Sequence, residues 1–311
     1  MRWLFVIDPI EKLKLESDTS FAMIEAVIAR GHEVATCTLT ELSWRNDRGA
    51  LADCRWVTNY DPEGGRVDEG PTESLALSGF QRILMRKDPP FDIEYIYATY
   101  LLESAESSTT QVINGPQGLR DCNEKLYSML YPELLPETLV SRDPLVIGDF
   151  VRELNGPVVV KPLDLMGGRG IILVRPDDVE LQERLAKSSQ NGTQRLMAQR
   201  YLEEAQEGDK RIILVDGKAE MAFLRRPAPG DFRGNLSQGA TAHTVSLDAR
   251  DAEIVDALAD DLVARGQRFV GIDIIGRYLT EVNVTSPMGL RELDMLYGGN
   301  SGDLVIAALE R

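Results

Sequence analysis

The sequence predicts an α/β fold that opens with a parallel sheet and continues into α+β units, and three observations predict it. Strand and helix signals alternate over residues 3–114, as in an open parallel sheet with crossover helices. From Leu119 the pattern changes to short helices and paired β-runs around glycine loops. The last third carries long strands, one helix and a β-hairpin. At 311 residues the chain is long enough for two or three such units around sizeable cores.

In the first third, residues 3–7 form an apolar run, followed by a helix capped by Ser20 with Phe21, Ile24, Val27 and Ile28 on one face. Gly31 stops that helix before a strand over 33–39. Residues 44–79 are rich in Gly, Asp and Glu and carry little periodicity, which predicts variable loops and edge structure. A strand over 83–85 runs into Arg86-Lys87-Asp88-Pro89-Pro90, a helix covers 93–103, and a strand over 112–114 closes the unit. Beyond Leu119 come a helix through 122–125, a helix over 145–154 and strands over 158–161 and 170–174 flanking a glycine loop. A helix over 178–187 and a strand over 195–201 follow. Strands over 211–215 and 221–224, a polar loop over 227–242, a helix over 249–265 and the hairpin complete the chain. There is no internal repeat and no low-complexity tract.

With 43% hydrophobic and 27% charged residues, the composition is that of a soluble globular protein. The net charge of −16 disfavours nucleic-acid phosphate and anionic membranes, since both need a positive patch. No apolar run approaches the roughly 20 residues that span a bilayer. Residues 2–8 are too short, and end in an acid, to be a signal peptide, so the expected location is the cytoplasm. Cys37, Cys54 and Cys122 are odd in number and form no CxxC pair, which argues against a disulfide framework or a thiolate zinc site. His32 and His243 read as structural, and no Ser-His-Asp or Cys-His arrangement offers a protein nucleophile.

The chemistry concentrates in the stretch from Gly271 to Val284, which sets Asp273, Glu281 and Asn283 on two β-runs joined at Gly276. Side chains alternate along a strand, so Glu281 and Asn283 share a face. Asp273 joins them only if the hairpin has an odd loop, most simply Gly276-Arg277-Tyr278, or a bulge. Two carboxylates and an amide oxygen suit a hard cation such as Mg²⁺, with remaining ligands from water and substrate phosphates. A solvated acidic face is the plainer alternative. The loop Met166-Gly-Gly-Arg-Gly170 is either a phosphate cover or an ordinary glycine turn. Lys161 shares a strand face with Val159 just before that loop, and Lys125 is a second candidate phosphate partner. Residues 197–202 offer apolar side chains and backbone suited to an adenine ring, and Asp209 an acceptor for a ribose hydroxyl. Arg225, Arg226 and Arg233 flank the loop over 227–242, the composition of a mobile lid over an anionic substrate. Arg86 sits at a strand end, where open α/β sheets bind ligands.

Taken in order, these stretches resemble the ATP-grasp superfamily, and within it the bacterial glutathione synthetases. The resemblance is carried by MRKDPPFD (85–92), IYATYLLE (96–103), LRDCNEKL (119–126), LLPETLV (134–140), VVVKPLD and MGG (158–168), MAQRYL, GDKRIILVDG (208–217), RGNL (233–236) and FVGIDIIGRYLTEVNVTSP (269–287). It implies an α/β domain over 1–122, followed by two α+β subdomains, 123–203 and 204–311, that sandwich ATP. It also implies ligation of γ-glutamylcysteine to glycine through an acyl phosphate, with ATP as co-substrate and Mg²⁺, or Mn²⁺ in its place, as cofactor. By matching positions, Lys125, Lys161, Gly167 and Gly168 would meet the ATP phosphates. Gln199, Arg200, Tyr201 and Leu202 would surround adenine, Asp209 the ribose, and Asp273, Glu281 and Asn283 the metal. Arg211 and Arg225 would steady the phosphoryl group and the tetrahedral intermediate. Arg233, Thr285, Ser286 and Pro287 would meet substrate carboxylates, helped by Ser20 and Arg86. A homo-oligomer, dimer or tetramer, is implied too. The sequence departs from the family pattern at Met288-Gly289-Leu290 and at residues 237–242. A different ATP-grasp carboxylate–amine ligase and a non-catalytic ATP-binding module are the competing readings.

Overall fold

The computed structural model describes residues 1–61 and 66–311. Three sheets follow one another along the chain. The first is built from β1 (Arg2–Val6), β2 (Glu33–Cys37), β3 (Leu42–Arg45), β4 (Gly49–Asp61), β5 (Arg66–Ala76), β6 (Arg82–Met85) and β7 (Gln111–Ile113), with helices α1 (Thr19–Ala29), α2 (Ile93–Glu103) and α3 (Pro116–Asp121). Its order is β3-β4-β2-β1-β6-β7, with β5 on β4. The β2-β1-β6-β7 part is parallel, as its crossover helices require.

Three expectations for this unit are corrected. Residues 44–79 are mostly an antiparallel hairpin, β4 on β5, and not variable loops. The cap of α1 is Asp18, whose Oδ1 accepts from Ser20 N, while Ser20 lies inside the first turn. The helix expected through 122–125 ends at Asp121. There Asn123 Oδ1 takes the backbone N–H groups of Lys125 and Leu126, a local turn that competes with a helix.

The second sheet is antiparallel, in the order β10-β9-β11-β8. It comprises β8 (Thr138–Ser141), β9 (Val158–Pro162), β10 (Ile172–Val174) and β11 (Leu196–Arg200), backed by α4 (Pro144–Leu154) and α5 (Leu181–Ser188). On β9, Val158 and Val160 are buried and Val159 and Lys161 face the other way, as the alternation predicts. This unit has its own core, around Ile147, Val151, Val160, Leu185 and Leu196.

The third sheet runs β14-β13-β12-β15-β16, antiparallel throughout. Its strands are β12 (Asp209–Val215), β13 (Lys218–Arg226), β14 (Thr241–Thr244), β15 (Phe269–Ile275) and β16 (Tyr278–Asn283), with helices α6 (Ala249–Ala264), α7 (Leu290–Tyr297) and α8 (Ser301–Leu309). The polar loop is shorter than expected, because Thr241 and Ala242 already pair with β13. In the hairpin Ile275 faces Tyr278 across a two-residue turn, and a bulge between Asp273 and Ile274 brings Asp273 opposite Glu281. The three-residue loop is thus corrected to the alternative, a bulge, which restores the shared face. Core residues of the first and third units intermix, with Trp3, Phe21 and Leu84 packed alongside Ile213, Phe269 and Val305. No helix among the described residues is long and apolar enough to cross a membrane.

Candidate functional site

Two cavities lie beside the third sheet. The smaller, about 110 Å³, is walled by β9, β11, the glycine loop, the segment after β13 and the β15–β16 hairpin. Val159, Tyr201, Leu202 and Ile275 give it apolar surface, and Lys125, Lys161, Asp273 and Glu281 give it charge. The larger, about 470 Å³, is lined from the first unit by Asp18 and Asp88 and from the third by Arg211, Arg225, Asn283 and Ser286. Met166, Gly167, Asn235 and Glu281 line both, so the two spaces meet there.

Lys125 Nζ lies 2.8 Å from Glu281 Oε1 and donates to Leu165 O at 2.8 Å. Lys161 Nζ donates to Gln199 Oε1 at 2.8 Å, and Gln199 Nε2 donates to Thr138 Oγ1. Burial pushes the Lys161 ammonium down, against the pull of Glu281. An anion in the cavity would relieve that penalty. Gly167 and Gly168 have φ of 65° and 74°, the left-handed region that glycine adopts freely. Arg200 turns away, its guanidinium forked onto Glu137 at 2.8 and 2.7 Å, so its part in the wall is not its charge.

A chain of buried ion pairs runs between the cavities. Asp209 meets Arg225 Nη2, Arg225 meets Asp273 Oδ2 at 2.9 Å, and Asp273 is gripped by Arg211, which also donates to Met288 O. Burial alone would raise the Asp273 carboxyl, but Arg211 and Arg225 outweigh it and hold it far below the usual range. Burial, with Asp273 nearby, pushes Asp209 up to about 6 in spite of Arg225. Asn283 Nδ2 donates inward to Gly271 O and Asp273 Oδ2, which turns its Oδ1 the other way. An ionised Asp273, Glu281 across the strand pair and an outward amide oxygen fit a hard divalent cation. Among the described residues no three His, Cys, Asp or Glu side chains gather as a metal cage, so such an ion would draw further ligands from phosphate and water.

The expected substrate residues divide. Thr285, Ser286 and Pro287 line the larger cavity. Arg233 lines the smaller one, engaged by Asp231 and lying against Gly168. Ser20 and Arg86 line neither: Arg86 is 4% exposed and donates to Ser20 Oγ and Pro287 O, so the pair supports the 285–287 turn from behind. Sequence reasoning missed Asp88, Glu124, Phe223, Glu292 and Phe232. Glu124 was within reach as the acidic neighbour of Lys125 in the LRDCNEKL stretch; burial and Glu281 push its carboxyl up.

The profile of the prokaryotic glutathione synthetase N-terminal domain matches residues 1–120, and that of the prokaryotic glutathione synthetase ATP-grasp domain matches 124–298. The chain is 43% identical to the glutathione synthetase of Nitrosomonas europaea over 315 aligned positions, covering 100% of this chain and 98% of that one. It is 40% identical to the glutathione synthetase of a Synechocystis species over 323 positions, covering 100% and 99%. Among solved structures, D-cycloserine synthetase DcsG superposes with a TM-score of 0.68 at 17% identity over 99% of this chain and 98% of its own, a likeness of fold. The chain belongs to the prokaryotic glutathione synthetase family and has the ATP-grasp fold.

Proposed function

We propose that the protein ligates γ-glutamylcysteine to glycine, with ATP cleaved to ADP and phosphate by way of an acyl phosphate. The observation that carries this reading is the meeting of the two cavities at Gly167, Asn235 and Glu281, with Lys125 and Lys161 on one side and Arg211 and Arg225 on the other. Such a junction lets a nucleotide in one space deliver its terminal phosphoryl to a carboxylate in the other. Forming an amide from a carboxylate needs a better leaving group than oxide, and phosphate is one.

In this reading Gln199, Tyr201 and Leu202 hold adenine, Asp209 faces the ribose, and Lys125, Lys161 and the Gly167-Gly168 backbone hold the phosphates. Asp273, Glu281 and Asn283 hold Mg²⁺ or Mn²⁺, which when bound neutralises charge on the phosphate oxygens. Arg211 and Arg225 stabilise the charge that gathers on the phosphoryl group and the tetrahedral adduct. Arg233 and residues 227–240 close over the site and keep water from the acyl phosphate. The same reading takes 1–122, 123–203 and 204–311 as the three structural units, with the cytoplasm as location and a homo-oligomer as assembled form.

Donor labelled with ¹⁸O in the cysteinyl carboxylate tests the route. One label should appear in inorganic phosphate for each peptide bond formed, because the attacking oxygen leaves with phosphorus. Retention of all the label in the peptide would sink the acyl phosphate.

A further inference from the structure

Glu124 is 9% exposed and lies on the wall of the larger cavity. One carboxylate oxygen accepts from Thr285 N at 3.2 Å and from Thr285 Oγ1 at 2.7 Å. Among the described residues no cation pairs with it, and neighbouring Lys125 is engaged by Glu281 and Leu165 O. Of the other carboxylates on this wall Glu281 has Lys125, while Asp18, Asp88 and Glu292 are likewise in no ion pair among the described residues, so what sets Glu124 apart is its place beside Glu281 and Asn283. A carboxylate so deeply buried without a cation is costly, and a ligand that brings a positive charge would offset the cost.

Its position says which ligand. Glu124 O accepts from Val282 N at 2.8 Å, so the residue runs beside the segment that carries Glu281 and Asn283. That is the end of the cavity where it meets the nucleotide space. The donor's reacting carboxylate must lie at that junction, which puts its own α-ammonium a γ-glutamyl chain away from it. The amine that must reach the junction is the acceptor's.

We propose that Glu124 binds the ammonium group of glycine, takes one proton from it and, held by Thr285, aims the freed amine at the acyl carbon, where the C–N bond forms as the bond to phosphate breaks and the second proton leaves with phosphate. This rests on the function proposed above. The probe that separates this role from structural support is hydroxylamine, an acceptor uncharged in mildly alkaline buffer. It attacks the acyl phosphate to give the hydroxamate and phosphate, and it brings no ammonium for Glu124 to hold.

In Glu124→Gln, kcat/KM for glycine should fall about 10- to 150-fold, the effect of one hydrogen bond to a charged group. Hydroxamate formation from ATP and γ-glutamylcysteine should fall far less, and KM for γ-glutamylcysteine should stay near the wild-type value. Equal loss with both acceptors would make Glu124 a structural or metal-site support and overturn the proposal. So would a rise confined to KM for γ-glutamylcysteine, or unchanged use of glycine. Wild-type protein that makes the hydroxamate but no tripeptide would sink glycine as the acceptor, a failure of the broader reading distinct from that of Glu124.

Discussion

Asp273 neutralises Arg211 and Arg225 in the free protein, and in the proposed function it also ligates a cation. Asp273→Asn should therefore lower stability in urea by about 3–5 kcal/mol, since it leaves buried guanidinium groups short of charge. Glu281→Gln should cost less, since Lys125 keeps Leu165 O. Both should reduce ADP release by more than about 100-fold. Near-normal turnover of both variants at saturating divalent metal would remove these residues from the metal site. Asp209 gives a second, opposite signature. Its carboxyl is raised from 3.8 to about 6, so in that window the folded protein holds a proton that the unfolded chain has lost. Stability from this group is then lost as pH rises through the window, whereas stability from Asp273 is lost as pH falls below the carboxylate range. Asp209→Asn should flatten the decline in stability between about pH 4 and 6. Parallel Tm-against-pH curves for variant and wild type would show that Asp209 does not titrate there.

At the scale of elements, the lid and the glycine loop are a single closure. Gln238 Nε2 donates to Gly167 O, Phe232 meets Tyr201 edge to face at 6.1 Å, and Asn235 packs on Gly168. The space beneath them is about 110 Å³, below the roughly 300–1,000 Å³ of ordinary ligand pockets, and in the proposed function a nucleotide enters it by lifting this closure. Gly168→Ala should disturb it, since a Cβ there would lie 2.6 Å from Asn235 Oδ1 at φ +74°. The expected result is a higher KM for ATP and faster proteolysis at 227–240 in the presence of ATP; unchanged values of both would uncouple loop from lid. A helix with a one-sided apolar pattern, such as α4, was legible in the sequence because burial on one face writes a period into it. The β4–β5 hairpin was not, since β5 buries none of its residues fully and so leaves no alternation to read. The hairpin was legible as a constraint: Asp273 and Glu281 had to share a face, and only coordinates distinguish an odd loop from the bulge that achieves it. Arg86 marks the limit of such reading, because a cation at a strand end looks the same in sequence whether it faces a ligand or the Phe269 ring and Ser20 hydroxyl that it meets in the free protein.

The whole molecule divides by its cores into a body made of the first and third units and a central unit packed on its own core. The first and third units share apolar clusters, and α8 is tied back to α1 by Arg30 through Asp303 and Glu310, so these two units move together. The central unit keeps a core of its own, and its polar ties to the other two include Lys125 to Glu281 and Phe91 N to Asp164 O. A nucleotide held between β9, β11 and the β15–β16 hairpin would thus bridge the two bodies, and its binding should tighten one far more than the other. Hydrogen exchange in residues 138–200 should be faster than in the other two sheets of the free protein. It should slow selectively when a non-hydrolysable ATP analogue and a divalent metal are added. At a ligand concentration of about 100 Kd the added stability is about 2.7 kcal/mol. At roughly 2 °C per kcal/mol for a chain of this size, that raises Tm by roughly 5 °C. Protection that rises equally in all three sheets would mean that the central unit is already locked to the body, and that the nucleotide enters by movement of the lid alone.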